Sequence, residues 1–144
     1  MTESSNPDPA QPALLRHIVP VAVGGAVMLM LTVVTDNWLA ARGLLPAAGE
    51  APTIGSMLLV TGYRGLFAII GCHMAARLAP AGQPRIRYAL ALGVLLLMLN
   101  VVGATTNRGL FPLWYVLLNL ALPIPWAIIG GGTAARVMAG ATRQ

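Results

Sequence analysis

The fold is decided by residues 54–80, IGSMLLVTGYRGLFAIIGCHMAARLAP. The run is apolar over a bilayer-crossing length, since a span takes roughly 17–25 apolar residues at about 1.5 Å of rise each. Yet it carries Arg64 roughly nine residues, about 13 Å, inside its first end. Three further runs of the same kind, residues 18–35, 88–105 and 110–135, hold nearly all the remaining hydrophobic residues. The composition, 57% hydrophobic and 9% charged, departs from the roughly 45–50% and 25% of soluble domains, so a water-soluble fold would lack the polar surface to cover itself. The chain therefore reads as an all-α integral membrane protein, a bundle of four transmembrane helices.

The expected helices are about 17–40, 54–80, 86–106 and 111–136, within a membrane domain 15–136. Residues 1–14 read as a mobile polar tail, because Pro7, Pro9 and Pro12 among Ser, Asn, Glu and Asp bury no apolar surface. Residues 137–144 read as a cytoplasmic tail. The first run exceeds the roughly 7–15 residues of a signal-peptide core and is expected to be a retained span. Gly43, Pro46, Gly49 and Pro52 break the helix across 36–53. The connection 81–87 carries Gly82 and Pro84 and is short, so helices two and three should be antiparallel neighbours. The turn at 106–109 is shorter still, and Pro112 suits the first turn of helix four, where a missing N–H costs nothing.

All the basic residues are arginine, and the formal charge is +5. Arg16, Arg77, Arg85, Arg87, Arg136 and Arg143 fall with the termini and the middle loop, against Arg42 and Arg108 opposite. The positive-inside rule then predicts N-in, C-in. Trp38, Trp114 and Tyr115 come near the outer boundary and Tyr88 near the inner one, as interfacial aromatics do. Arginines placed at helix ends are explained by anchoring, and nucleic acid is not an expected partner.

Arg64 is the sharpest anomaly, because arginine at depth costs about 2.5–3.5 kcal/mol on insertion scales. Asp36 is the only acidic residue near a span, and an antiparallel helix pair brings it to the same outer half. A guanidinium can take a carboxylate in two hydrogen bonds, which makes an Asp36–Arg64 pair the economical expectation. The alternative is that Arg64 snorkels to the headgroups while Asp36 ends helix one in water. Asn100 and Asn119 each lie about six or seven residues, roughly 10 Å, from the outer ends of their helices. The four residues form a candidate intramembrane polar cluster. They would line a small aqueous or ligand cavity, or serve as interhelical glue worth about 0.6 kcal/mol per bond.

Pro123 and Pro125 should kink helix four and leave the carbonyls of Asn119 and Ala121 short of donors. Gly71, Ala75 and Ala79, and likewise Gly131 and Ala135, form small-residue faces suited to close helix packing. Cys72, the single cysteine, excludes an internal disulfide. It cannot share a helical face with His73, because successive residues diverge by about 100°. His17 and His73 raise a bis-histidine haem reading, but no Cys-x-x-Cys-His attachment accompanies them and His17 falls at the interface. A buried thiol and an interfacial imidazole are the expectation. No catalytic, cofactor-binding or metal-ligating residue and no cofactor is expected.

Tyr63-Arg64, Ala76-Arg77-Leu78-Ala79-Pro80, Trp114-Tyr115, and Leu122-Pro123 followed by Gly130-Gly131 together resemble an uncharacterised family of small four-span bacterial inner-membrane proteins. The resemblance spans roughly residues 32–131 and includes Asp36, whereas Cys72-His73 and Tyr88 depart from the family's pattern. It implies the four-helix architecture and a multi-pass location in the bacterial inner (plasma) membrane, and it brings no activity, cofactor or ligand. With so few reactive groups, the leading expectation is a non-enzymatic accessory or scaffold subunit acting through helix packing. Its partners would be the lipid bilayer and either another membrane protein or further copies of itself. The alternative is a small oligomeric transporter or channel with its polar layer around Asp36 and Arg64. A membrane-embedded enzyme is disfavoured, because Asp36 lies about half of a roughly 30 Å core away from Cys72 and His73.

Overall fold

The computed structural model describes residues 13–46, 50–107 and 109–141. Among them every regular element is helical: α1 Ala13–Ala41, α2 Ile54–Arg77, α3 Arg85–Thr106, α4 Leu113–Ala121 and α5 Pro123–Ala141. Four stretches are long and apolar enough to cross a membrane: Leu15–Ala41, Ile54–Arg77, Arg85–Thr106 and Leu113–Val137. The last of these joins α4 and α5. Residues 1–12, Arg108 and Arg143 lie outside the described residues.

Several boundaries differ from the expected ones, each for a local reason. Helix α1 begins at Ala13, so helix enters the segment expected to be tail. Helix α2 stops at Arg77 instead of residue 80, because Pro80 disfavours helical backbone at Ala79. Leu78 closes that end by donating its N–H to the Met74 carbonyl at 3.0 Å. Pro112 is the residue before α4, in extended backbone with ψ 147°, and not in the first turn. Helix α5 runs on to Ala141 through alanine-rich sequence, past the expected end at 136.

Cross-helix contacts fix an up-down-up-down order. The first turns of α1 and α3 meet where His17 Nδ1 lies 2.6 Å from the Tyr88 hydroxyl. The far end of α1 meets the beginning of α2 through Asp36 and Arg64. Near the opposite end of α2, His73 Nδ1 lies 3.0 Å from Thr133 Oγ1 on α5.

The end where α1 begins and α5 finishes is the closely packed one. Cys72, Ala75 and Ala76 of α2, Tyr88, Ala89 and Leu92 of α3, and Ala127 and Ala134 of α5 form its core. Lipid gives apolar side chains no reason to leave it, so helices join here through small residues that let their backbones touch. A Cβ on Gly71 would come within 2.7 Å of the Gly24 carbonyl oxygen, and one on Gly130 within 2.5 Å of the Ile69 carbonyl oxygen. Helix α5 packs against α2 and α3, and α1 against α2. The other end is open. Helix α4 has no buried residue, and its substantial contacts are with α3 and α5 only. Large apolar side chains such as Met30, Leu58, Met98 and Leu113 point outward, as a lipid-facing surface requires.

Candidate functional site

Asp36, in the last two turns of α1, is gripped by two neighbours on α2. The Tyr63 hydroxyl donates to Asp36 Oδ1, and Arg64 Nη2 donates to Oδ2 at 2.8 Å. The guanidinium therefore does not take both oxygens, as the sequence suggested, because tyrosine occupies one of them. The Arg64 and Asp36 side chains are 45% and 31% exposed, which makes this a pair on the wall of an opening and not a deeply buried one.

Helix α4 ends and α5 begins at a single residue. Leu122 donates its N–H to the Leu118 carbonyl at 3.1 Å and accepts from the Trp126 N–H at 3.1 Å, closing one helix and starting the next. Pro123 and Pro125 thus both fall in the first turn of α5, where N–H groups have no helical partner in any case. The expected kink becomes a stop and restart. Pro123 still denies a donor to the Asn119 carbonyl, and Asn100 of α3 supplies one through Nδ2 at 3.1 Å. Asn119 donates through its own Nδ2 to the Tyr115 carbonyl at 2.9 Å. The two asparagines are joined through backbone and not amide to amide.

The separation of α4 leaves a cleft in the open half, and Arg64 stands at its centre. A cavity of about 330 Å³ opens between α1 and α3, walled by Met28, Leu29, Leu92, Leu95, Leu99 and Trp126, and Arg64, Asn100 and Asn119 also line it. The same three polar residues, with Asn107, Phe111 and Tyr115, line a second cavity of about 220 Å³. A third, of about 230 Å³, lies beneath Leu45, Pro46 and Pro52 and again reaches Arg64. Asp36 lines none of the three. Of the four polar residues singled out in the sequence, three face one cleft and the fourth holds Arg64 from behind.

Tyr63, Tyr115, Asn107 and Trp126 also belong to this region. Tyr115 lies one turn before Asn119 on the same helical face, a spacing that pointed to the cleft; Tyr63 carried no comparable signal. At the packed end, His17 and His73 bond to Tyr88 and Thr133 respectively, on different helices. Cys72 is fully buried. Among the described residues no three His, Cys, Asp or Glu side chains converge as a metal site would need. The cleft offers one guanidinium, amide groups and an apolar floor, which is equipment for binding and orientation. The chain matches no protein-family model, no curated protein and no solved structure.

Proposed function

We propose that the chain is a non-enzymatic, multi-pass protein of the bacterial inner membrane, with both termini in the cytoplasm, that holds a small ligand in the cleft around Arg64. The observation that carries this reading is the arrangement of three cavities around one arginine. It favours the binding or transport alternative over a purely structural subunit, since a scaffold needs no opening between its helices. The arginine asymmetry between the two ends supports the orientation, and the resemblance to small four-span bacterial proteins supports the membrane. An accessory subunit is the second reading. It is favoured by α1, where Leu29, Met30, Val33 and Val34 stand exposed, so a broad apolar face is available to another membrane protein or a second copy.

A membrane-impermeant thiol reagent applied to intact cells tests cleft and orientation together. Gly103 lines the cleft, and a Cβ there meets nothing within 4 Å. Gly103→Cys should react, Gln83→Cys should be protected until the cells are permeabilised, and buried Cys72 supplies a quiet background. Labelling of Gln83→Cys alone would invert the topology. An unreactive Gly103→Cys even after permeabilisation would mean that the cleft is closed and the binding reading fails.

A further inference from the structure

Resting on the ligand-cleft reading, we propose that the ligand is a single-chain amphiphile with an acidic head, its alkyl chain among the leucines and its carboxylate or phosphate at Arg64. Two environments meet at the Arg64 side chain. On one side lies an apolar groove between α1 and α3, formed by Met28, Leu29, Leu92, Leu95 and Leu99; on the other lies a cavity richer in polar groups, with Asn107 and Tyr115. A free inorganic anion would make no use of the apolar groove, and a hydrocarbon would leave the guanidinium facing apolar matter. The apolar cavity, about 330 Å³, is at the small end of the roughly 300–1,000 Å³ usual for ligand sites, so it suits one chain and not the two of a bilayer phospholipid.

The charges permit an acidic head. Arg64 has five N–H donors in a fixed fork, and its bond to Asp36 uses Nη2. Asp36 keeps a second donor in Tyr63 whatever Arg64 does. Asn100 and Asn119 already direct their Nδ2 groups to carbonyls, which leaves Arg64 as the principal donor at the rim. A guanidinium presents paired donors to carboxylate or phosphate, the geometry in which arginine binds most selectively.

Trp126 lines the apolar cavity and reports on it. With Trp38→Phe and Trp114→Phe as background, in phosphatidylcholine nanodiscs, ω-bromododecanoic acid should quench Trp126 fluorescence saturably. Arg64→Gln should weaken that binding at least tenfold. Gly25→Leu should do the same by filling the cavity, since Gly25 lines it and a Cβ there makes only an ordinary 3.5 Å contact with Leu92. The alcohol ω-bromododecanol should bind at least tenfold more weakly than the acid, and inorganic phosphate should not displace the acid. Equal quenching in parent and Gly25→Leu proteins, or equal affinity for acid and alcohol, overturns the proposal; both comparisons stand even if Arg64→Gln does not fold. A reactive Gly103→Cys without acid binding removes this ligand class and leaves the cleft reading intact. An unreactive Gly103→Cys removes both.

Discussion

Asp36 is a carboxylate shared between two helix neighbours, and this changes what losing either partner should do. A charge stranded in a dry interior costs about 3–5 kcal/mol, but the Arg64 and Asp36 side chains are both partly exposed, so water screens whichever is left alone. Arg64→Gln also leaves Asp36 with Tyr63. Asp36→Asn and Arg64→Gln should therefore each destabilise the protein by about 1–2 kcal/mol, near the upper range for polar contacts between membrane helices, and the double variant should recover part of the loss. Thermal unfolding in mild detergent measures the cycle, and strictly additive losses would show that the pair does not interact. The meeting of these two residues was legible because an antiparallel helix pair brings the only acidic residue near a span level with the only deep arginine. Tyr63 was not legible. Nothing in its spacing marks a tyrosine in the middle of an apolar helix as the second donor.

Helices here are held by the absence of side chains as much as by their presence. Alanine at Gly24 would drive its Cβ into the Gly71 carbonyl oxygen and toward Ala75, whereas Gly132 has nothing within 4 Å. Gly24→Ala and Gly130→Ala should each lower stability by about 1–3 kcal/mol through overpacking. Gly132→Ala should be neutral or gain up to about 1 kcal/mol from helix propensity. Unfolding in mixed micelles by increasing dodecyl sulfate separates the two groups, and similar shifts at Gly24 and Gly132 would contradict the packing described for α1 and α2. The small-residue face at Gly71 and Ala75 was visible in the sequence, but its partner, Gly24 on α1, was not. Such faces declare that a neighbour comes close without saying which one. The prolines show the same limit: their missing donors were predictable, whereas the division into α4 and α5 depends on Leu122 serving both helices.

The molecule as a whole packs its small residues tightly toward one end and stands looser at the other, and only the number of its spans could be read directly. Each span answers to one dimension, the bilayer thickness, so counting apolar residues suffices. Which faces meet is another matter, because lipid-facing and neighbour-facing residues are about equally apolar and leave little periodicity to follow. The cleft arises from that illegible part, through α4 standing apart from α2. The bond from Asn100 to the Asn119 carbonyl bears finally on how the chain is made. A carbonyl without a donor costs several kcal/mol in hydrocarbon, and Pro123 creates such a carbonyl in the fourth span, which leaves the ribosome after the third. Its donor is on α3, already synthesised and only a short turn away, so α4 should enter the bilayer alongside α3 as a hairpin and not alone. In a microsomal translation assay with a glycosylation acceptor appended after residue 144, and for the orientation proposed above, Asn100→Leu should increase glycosylation, because a fourth span left uninserted strands the tag in the lumen. Unchanged glycosylation would mean that the carbonyl finds its donor elsewhere during insertion; an increase would make one asparagine on the third span a condition for the fourth to be delivered.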